Sequence, residues 1–277
     1  MYGGGGLQEF KVNRKAFRTV EVTGENLLLW VNEPVAIAKM LFEAVVSCFT
    51  PGRAKYVSIG SQISRQILYT GVEALWLVGI IAFLYGNVIV IQAMTNMPRF
   101  GVTEYFGNIL VVAVVRELGP FFTALVIIGR SGSALAAHIG TMQVNKEVAA
   151  LEVMGVNPVQ FLVVPALAGM TLSLICLNFY FDIIAIVGGL FTAKLTVMVP
   201  FGIFLEKVVQ ALTWKDILIS VSKGAFFGAI VAVISCRFGL RVKNIRGVPQ
   251  AAMNSVVWSM ALTIIVSILV TIGFYAR

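Results

Sequence analysis

Five stretches of this sequence are so long and so apolar that only membrane-spanning helices accommodate them: residues of about 74–95, 105–130, 158–198, 217–240 and 253–275. A hydrocarbon core of ~30 Å takes ~20 helical residues at a rise of ~1.5 Å each. Inside it the backbone finds no water, so its N–H and C=O groups must pair within the segment. The chain is 58% hydrophobic and 12% charged, where soluble domains carry about 25% charged residues. The expected fold class is an all-α integral membrane protein, with an amphipathic interfacial N-terminal helix, five transmembrane helices and a short polar helix between the second and third.

The third stretch would reach ~60 Å as a straight helix, so it is either two spans or one span that breaks and continues outside the lipid. Loop charge decides. With one span there, the loop carrying Arg237, Arg241, Lys243 and Arg246, and no acid, shares a side with the basic N-terminal region. The opposite side holds Arg99 with Glu104, and Glu206 and Asp216 with Lys207 and Lys215, which nearly cancel. Positive loops stay in the cytoplasm. Five crossings follow, with the N-terminus cytoplasmic, the C-terminus outside and Gly188-Gly189 as the break.

Residues 1–50 read as a cytoplasmic extension with an amphipathic segment, and residues 51–277 as the membrane domain. The lead MYGGGG and the basic tract after it lack the apolar core of a signal peptide, so the first span is expected to direct insertion. Ile37, Leu41, Ala44, Val45 and Cys48 recur at helical spacing with Lys39 and Glu43 facing away, and Tyr56, Ile59, Ile63 and Ile67 repeat the pattern. Such basic amphipathic segments lie in the cytoplasmic interface or pack on another protein.

Arg116-Glu117 falls near the middle of the second stretch, where each charge costs at least ~2.5–3.5 kcal/mol on insertion scales. Neighbours on a helix point about 100° apart, so the two need separate partners; Glu73, Asp182, Gln92 or a lipid head group are the candidates. The pair reads either as the polar wall of a wet or lipid-filled path or as a structural ion-pair network. Gln92 and Asp182 join it as candidates for the path, against plain structural roles. Gly129, Gly132, Ser133 and Ala136 form small-xxx-small pairs that let helices approach, and Arg130 is expected to snorkel to the cytoplasmic head groups.

Between the second and third stretches, Lys146–Met154 reads as one helix within the segment 145–155, with Asn145 as N-cap, Gly155 just past the end and Pro158 beyond. Glu147, Leu151 and Met154 share a face, with Glu152 adjoining. This is a polar hairpin turn or a docking element.

Several function classes fall away. Cys48, Cys176 and Cys236 have no CxxC spacing and His138 is the only histidine, so no metal centre is expected. No P-loop or GxGxxG occurs, so the chain is expected to bind no ATP or other cofactor itself and to catalyse no reaction. The net charge of +8 sits beside the spans, where anionic lipid accounts for it; no nucleic acid is expected.

GRSGSALAAHIGTM followed by ALEVMGVNPVQFLVVP resembles the signature of the MlaE/YrbE permeases, the membrane subunits of ABC transporters that work with MCE-domain proteins. The likeness runs from about Arg65 to the C-terminus. His138, Ala166 and the run Asn145–Ala149 depart from the family pattern. The resemblance implies two copies of this chain, two ATPase subunits that hold ATP and Mg, an MCE-domain protein on the far side, and lipid between the copies. It makes residues 145–155 the coupling helix, seated in a groove of the ATPase through Glu147, Leu151, Glu152, Met154 and Gly155. It places the chain in a bacterial inner membrane, or an organelle membrane of bacterial descent, with the C-terminus periplasmic. The alternatives are a secondary transporter or channel using Arg116, Glu117 and Asp182, and a membrane scaffold.

The charge argument has a direct test. Cysteines placed at Asn145 and Asn244 should react in intact cells only with membrane-permeant reagents, and one at Gly202 with impermeant ones. Labelling of position 244 from outside would mean that the third stretch crosses twice.

Overall fold

The computed structural model describes residues 35–44, 46, 56–100, 111–196 and 201–275. Residues 1–34, Cys48, and the predicted ends of the second and third stretches at 105–110 and 197–198 lie outside them. The chain clusters into two units, Met1–Glu43 and Ala44–Arg277. The described residues of the first are helical, with Lys39 and Glu43 exposed. In the second, no described residue is in a strand, and five helices are long and apolar enough to cross a membrane. The protein is an all-α, multi-pass membrane protein.

A leading helix, Tyr56–Thr70, turns through Gly71 and the 3-10 turn Val72–Ala74 into the first span, Leu75–Phe100. The second span is Val112–Val144 and the third Val159–Leu195, with the inter-span helix Glu147–Val153 between them. A short helix, Phe201–Ala211, precedes the fourth span, Trp214–Leu240, and the fifth is Val248–Tyr275. The fourth span is the axis: 61% of its most apolar window is buried, against 11% for the fifth. It packs on the second, third and fifth spans, and the first lies along the third. Val78, Ile127, Met170, Leu174, Phe181, Phe227 and Val231 fill the core between them.

The expected break at Gly188-Gly189 does not occur; the third span runs through both residues as a helix. The glycines serve contact instead. A Cβ on Gly188 would stand 2.6 Å from the Phe83 carbonyl oxygen, and one on Gly189 2.5 Å from Val90 Cγ2. A Cβ on Gly86 would collide with the Ala185 carbonyl. Without those carbons the backbones of the first and third spans meet, as small residues allow in lipid, and Thr192 donates its hydroxyl to Asn87 Oδ1 across the seam. At 37 residues the third span is ~55 Å long and overreaches a ~30 Å core.

The second span runs on past Arg130 through the small-residue tract to Val144. Two π-helical segments, Val112–Leu118 and Ile128–Gly132, interrupt its ladder. Gly132 faces the fourth span, where a Cβ would lie 3.0 Å from Val231 Cγ1, and the Ala136 carbonyl oxygen would lie 2.8 Å from a Cβ on Gly239. Ser133 spends its hydroxyl on the Gly129 carbonyl. Around Gly129 a Cβ would meet nothing within 4 Å, so it makes no close approach within this chain.

Glycines that look alike in sequence should therefore respond differently. Gly86→Ala is expected to destabilise the purified chain by about 1–3 kcal/mol through overpacking. Gly129→Ala should be neutral, or stabilising by about 0.5–1 kcal/mol, because it only removes backbone freedom. Thermal melts in detergent decide, and equal responses would rule out the seam as a structural determinant.

Candidate functional site: a buried charge network at a broken ladder

The site starts from a missing N–H. Pro120 cannot donate to the carbonyl four residues back, that of Arg116, and its ring crowds the same position. The backbone responds with the π turn Val112–Leu118, in which the Gly119 N–H reaches back to the Val114 carbonyl. The Arg116 carbonyl is left for another donor. Lys223 of the fourth span supplies it: Nζ donates to Arg116 O at 2.8 Å and to Glu117 Oε2 at 2.8 Å. Glu117 Oε1 accepts the Thr271 hydroxyl from the fifth span at 3.0 Å. The Arg116 guanidinium pairs with Asp216. Asp216 Oδ2 in turn accepts the Thr213 N–H at 2.8 Å and its hydroxyl at 2.6 Å, the capping box that opens the fourth span.

Three of the sequence expectations are corrected here. Among the described residues Arg116 forms its ion pair with Asp216 and Glu117 with Lys223, two turns apart on one helix, rather than with Glu73 or Asp182. Arg116-Glu117 stands in the opening turns of the described second span, not at its middle, because that span continues to Val144. Asp216, which reads in sequence as a loop charge, is fully buried. Arg130 pairs with Glu73, donates to the Tyr69 carbonyl at 2.9 Å and lies 5.6 Å from the Tyr69 ring centre, which fastens the second span to the leading helix.

Asp182 is buried against the same π turn, with Oδ1 2.5 Å from where a Cβ on Gly119 would be. This is an interior position and not the interfacial one expected beside a helix break; Oδ1 has no hydrogen-bond partner among the described residues. Gln92 is exposed on the first span, outside the cluster. The network pairs two cations with two acids. Lys223 and Asp216 are fully buried, whereas the side chains of Arg116 and Glu117 remain 20% and 37% exposed. Its open side therefore presents one positive and one negative group among apolar helices, which suits contact with a polar head group. No His, Cys, Asp and Glu grouping able to hold a metal occurs among the described residues.

The inter-span helix is shorter than expected. Asn145 is not its N-cap: the Asn145 N–H still bonds to the Thr141 carbonyl at 2.9 Å, so it closes the second span, and its amide donates to Glu147 Oε1 at 3.2 Å. Lys146, left-handed at φ 61°, takes the cap position. At the far end Gly155 has φ 75°; its N–H bonds to Glu152 O at 2.9 Å and the Val156 N–H to Leu151 O at 2.9 Å, a Schellman closure. Asn157 Oδ1 then accepts the Val159 N–H at 2.9 Å, starting the third span. Val148 is buried and Leu151 half-buried, Glu147 and Glu152 are exposed, and Val153 and Met154 are 88% and 67% exposed.

Lys223→Met should strand Glu117 and the Arg116 carbonyl together. Because Glu117 is partly solvated, a loss of roughly 3 kcal/mol, the low end for a broken buried pair, is expected. Adding Glu117→Gln should recover part of it. Melting of the single and double variants measures both, and additive losses would show that the two groups do not couple.

The Permease MlaE family model matches residues 63–272. A probable ABC transporter permease protein of Rickettsia typhi is 30% identical over 251 residues, covering 90% of this chain and 95% of its own. One from Synechocystis is 34% identical over 222 residues, covering 78% and 84%. The Arabidopsis thaliana chloroplastic protein TRIGALACTOSYLDIACYLGLYCEROL 1 is 30% identical over 197 residues, covering 71% of this chain and 56% of its own. A match over most of the membrane domain, together with five packed spans, makes this chain a member of the MlaE permease family and an ABC transporter permease.

Proposed function

We propose that this permease conducts phospholipid or a related lipid between a bacterial inner membrane, or an organelle membrane of bacterial descent, and an MCE-domain partner. It works as two copies with two ATPase subunits, which hold the ATP and Mg; the N-terminus is cytoplasmic and the C-terminus periplasmic. In this reading residues 1–50 are a cytoplasmic extension and residues 51–277 the permease domain. The observation that carries the lipid assignment is the half-open face of Arg116 and Glu117, whose buried partners Asp216 and Lys223 hold them in place within an otherwise apolar bundle. A zwitterionic or anionic head group can exchange contacts with such a face while its chains stay among apolar side chains. A relative named for trigalactosyldiacylglycerol supports a lipid cargo. Against the ion-relay alternative on Arg116, Glu117 and Asp182 stand the pairing of Glu117 with Lys223 and the ABC permease family; Asp182, buried with Oδ1 unpartnered among the described residues, is the acid such a relay would still have to use.

The inter-span helix is the coupling element of this proposal. Val153 and Met154 are exposed apolar side chains beside Glu147 and Glu152, and a groove on the ATPase would bury them for roughly 1.5–3 kcal/mol each. Met154→Asp and Leu151→Asp should therefore weaken ATPase co-purification about tenfold or more while the permease still inserts. Glu117→Gln should leave ATPase binding intact and lower lipid transfer per ATP in reconstituted vesicles. If the helix variants leave ATPase binding and lipid-stimulated hydrolysis unchanged, the helix is only a turn. If Glu117→Gln leaves transfer unchanged, the network is scaffolding and the path lies elsewhere.

A further inference from the structure

A cavity of about 610 Å³ lies between the leading helix, the later half of the second span and the start of the third. It is separate from the charge network: Ser131, one of its lining residues, is four turns beyond Arg116 on the same span, ~22 Å along the axis. The close seat of the leading helix on the third span walls one side of it, since a Cβ on Gly169 would meet Gln66 at 2.7 Å. Arg65 and His138 line it and are exposed, and among the described residues no acid lines it. Leu135, Phe161 and Leu162 give it apolar walls. Ser131, 1% exposed, also lines it, and its hydroxyl has no hydrogen-bond partner among the described residues.

An unmade buried hydrogen bond is costly, and here the idle donor faces a cavity. Ser131 and His138 are two turns apart on one face, ~10 Å along the helix. The cavity therefore joins exposed basic groups, one buried hydroxyl donor and apolar walls. Those are the three chemistries of the phosphate, ester carbonyl and acyl chain of a glycerolipid, and the volume lies within the ~300–1,000 Å³ of small-molecule sites. We propose that this cavity binds one anionic glycerolipid, its phosphate on Arg65 and His138, an ester carbonyl on Ser131 and one chain along Leu135 and Phe161, as a second lipid site apart from the charge network.

The full-length chain in phosphatidylcholine nanodiscs carrying a minority of dioleoyl phosphatidylglycerol provides the test, with retained lipid counted by native mass spectrometry after release. Phosphatidylglycerol should be retained over phosphatidylcholine. Arg65→Gln with His138→Gln should cut that preference about tenfold, the loss of charge-assisted hydrogen bonds. Ala134→Phe should fill the cavity and abolish retention; should that variant fail to fold, the exposed Arg65 and His138 positions still decide the matter. Lys243→Gln, which removes an exposed cation outside the cavity lining, should leave the preference unchanged. A preference that survives the Arg65 and His138 changes, or that falls equally with Lys243→Gln, overturns the assignment. Displacement by inorganic phosphate together with insensitivity to Ala134→Phe would identify a bare anion site and overturn it equally.

Discussion

One ammonium group, that of Lys223, meets two demands that the second span makes at once. Pro120 deprives the Arg116 carbonyl of its helical donor, and Glu117 brings a carboxylate into the bundle; Lys223 bonds to both at 2.8 Å. Fully buried itself, it would be costly to desolvate alone, and the pair is tolerated because each charge and each lone pair has a partner. The consequences spread outward. Lys223 and Asp216 lie on the most buried span, so satisfying Arg116 and Glu117 fixes the rotation of the fourth helix against the second. Thr271 adds the fifth span, whose own apolar faces are little buried, to the same polar knot. In lipid, where helices gain nothing by hiding from their equally apolar surroundings, such contacts decide which faces meet.

The architecture is largely legible in the sequence because the bilayer leaves few options: a long apolar run must be a helix, and loop charge limits how many runs cross. The site is legible only by half. Arg116-Glu117 stands out as two adjacent charges in an apolar stretch, but its partners lie a hundred residues on and leave no periodic trace. Lys223 carries a usable signal, a cation well inside the fourth apolar run and far from the basic end at Arg237, as Arg116 does in the second. Asp216 was hidden by its neighbours, since Lys215-Asp216 at a span boundary reads as solvated loop. The pair Gly188-Gly189 was ambiguous in principle: two glycines permit a break or a tight contact, and the facing backbone at Phe83 and Gly86 decides. Asn145 could cap either of two helices, and the bond its N–H keeps with Thr141 settles the choice.

The inter-span helix shows how little chain is needed to aim an element. Seven helical residues and their cap Met154 are held between Lys146 and Gly155, both left-handed, and neither end is left to fray: one joins the closing turn of the second span, the other a Schellman closure followed at once by the Asn157 cap. With Val148 buried and Val153 and Met154 outward, the helix has one side fastened and one side offered. Its two supporting spans are long enough to carry it clear of the hydrocarbon.

The glycine seam between the first and third spans also limits how the bundle can move. Sliding one helix past the other by a turn, ~5.4 Å, would bring Phe83 or Val90, which share the face of Gly86, to the place opposite Ala185 where only a hydrogen fits. The seam thus behaves as a ratchet with one permitted tooth. Shear from one register to the next is barred, and the first and third spans must travel together as a single two-stranded beam. Any rearrangement of the molecule is left to the joints of the second, fourth and fifth spans.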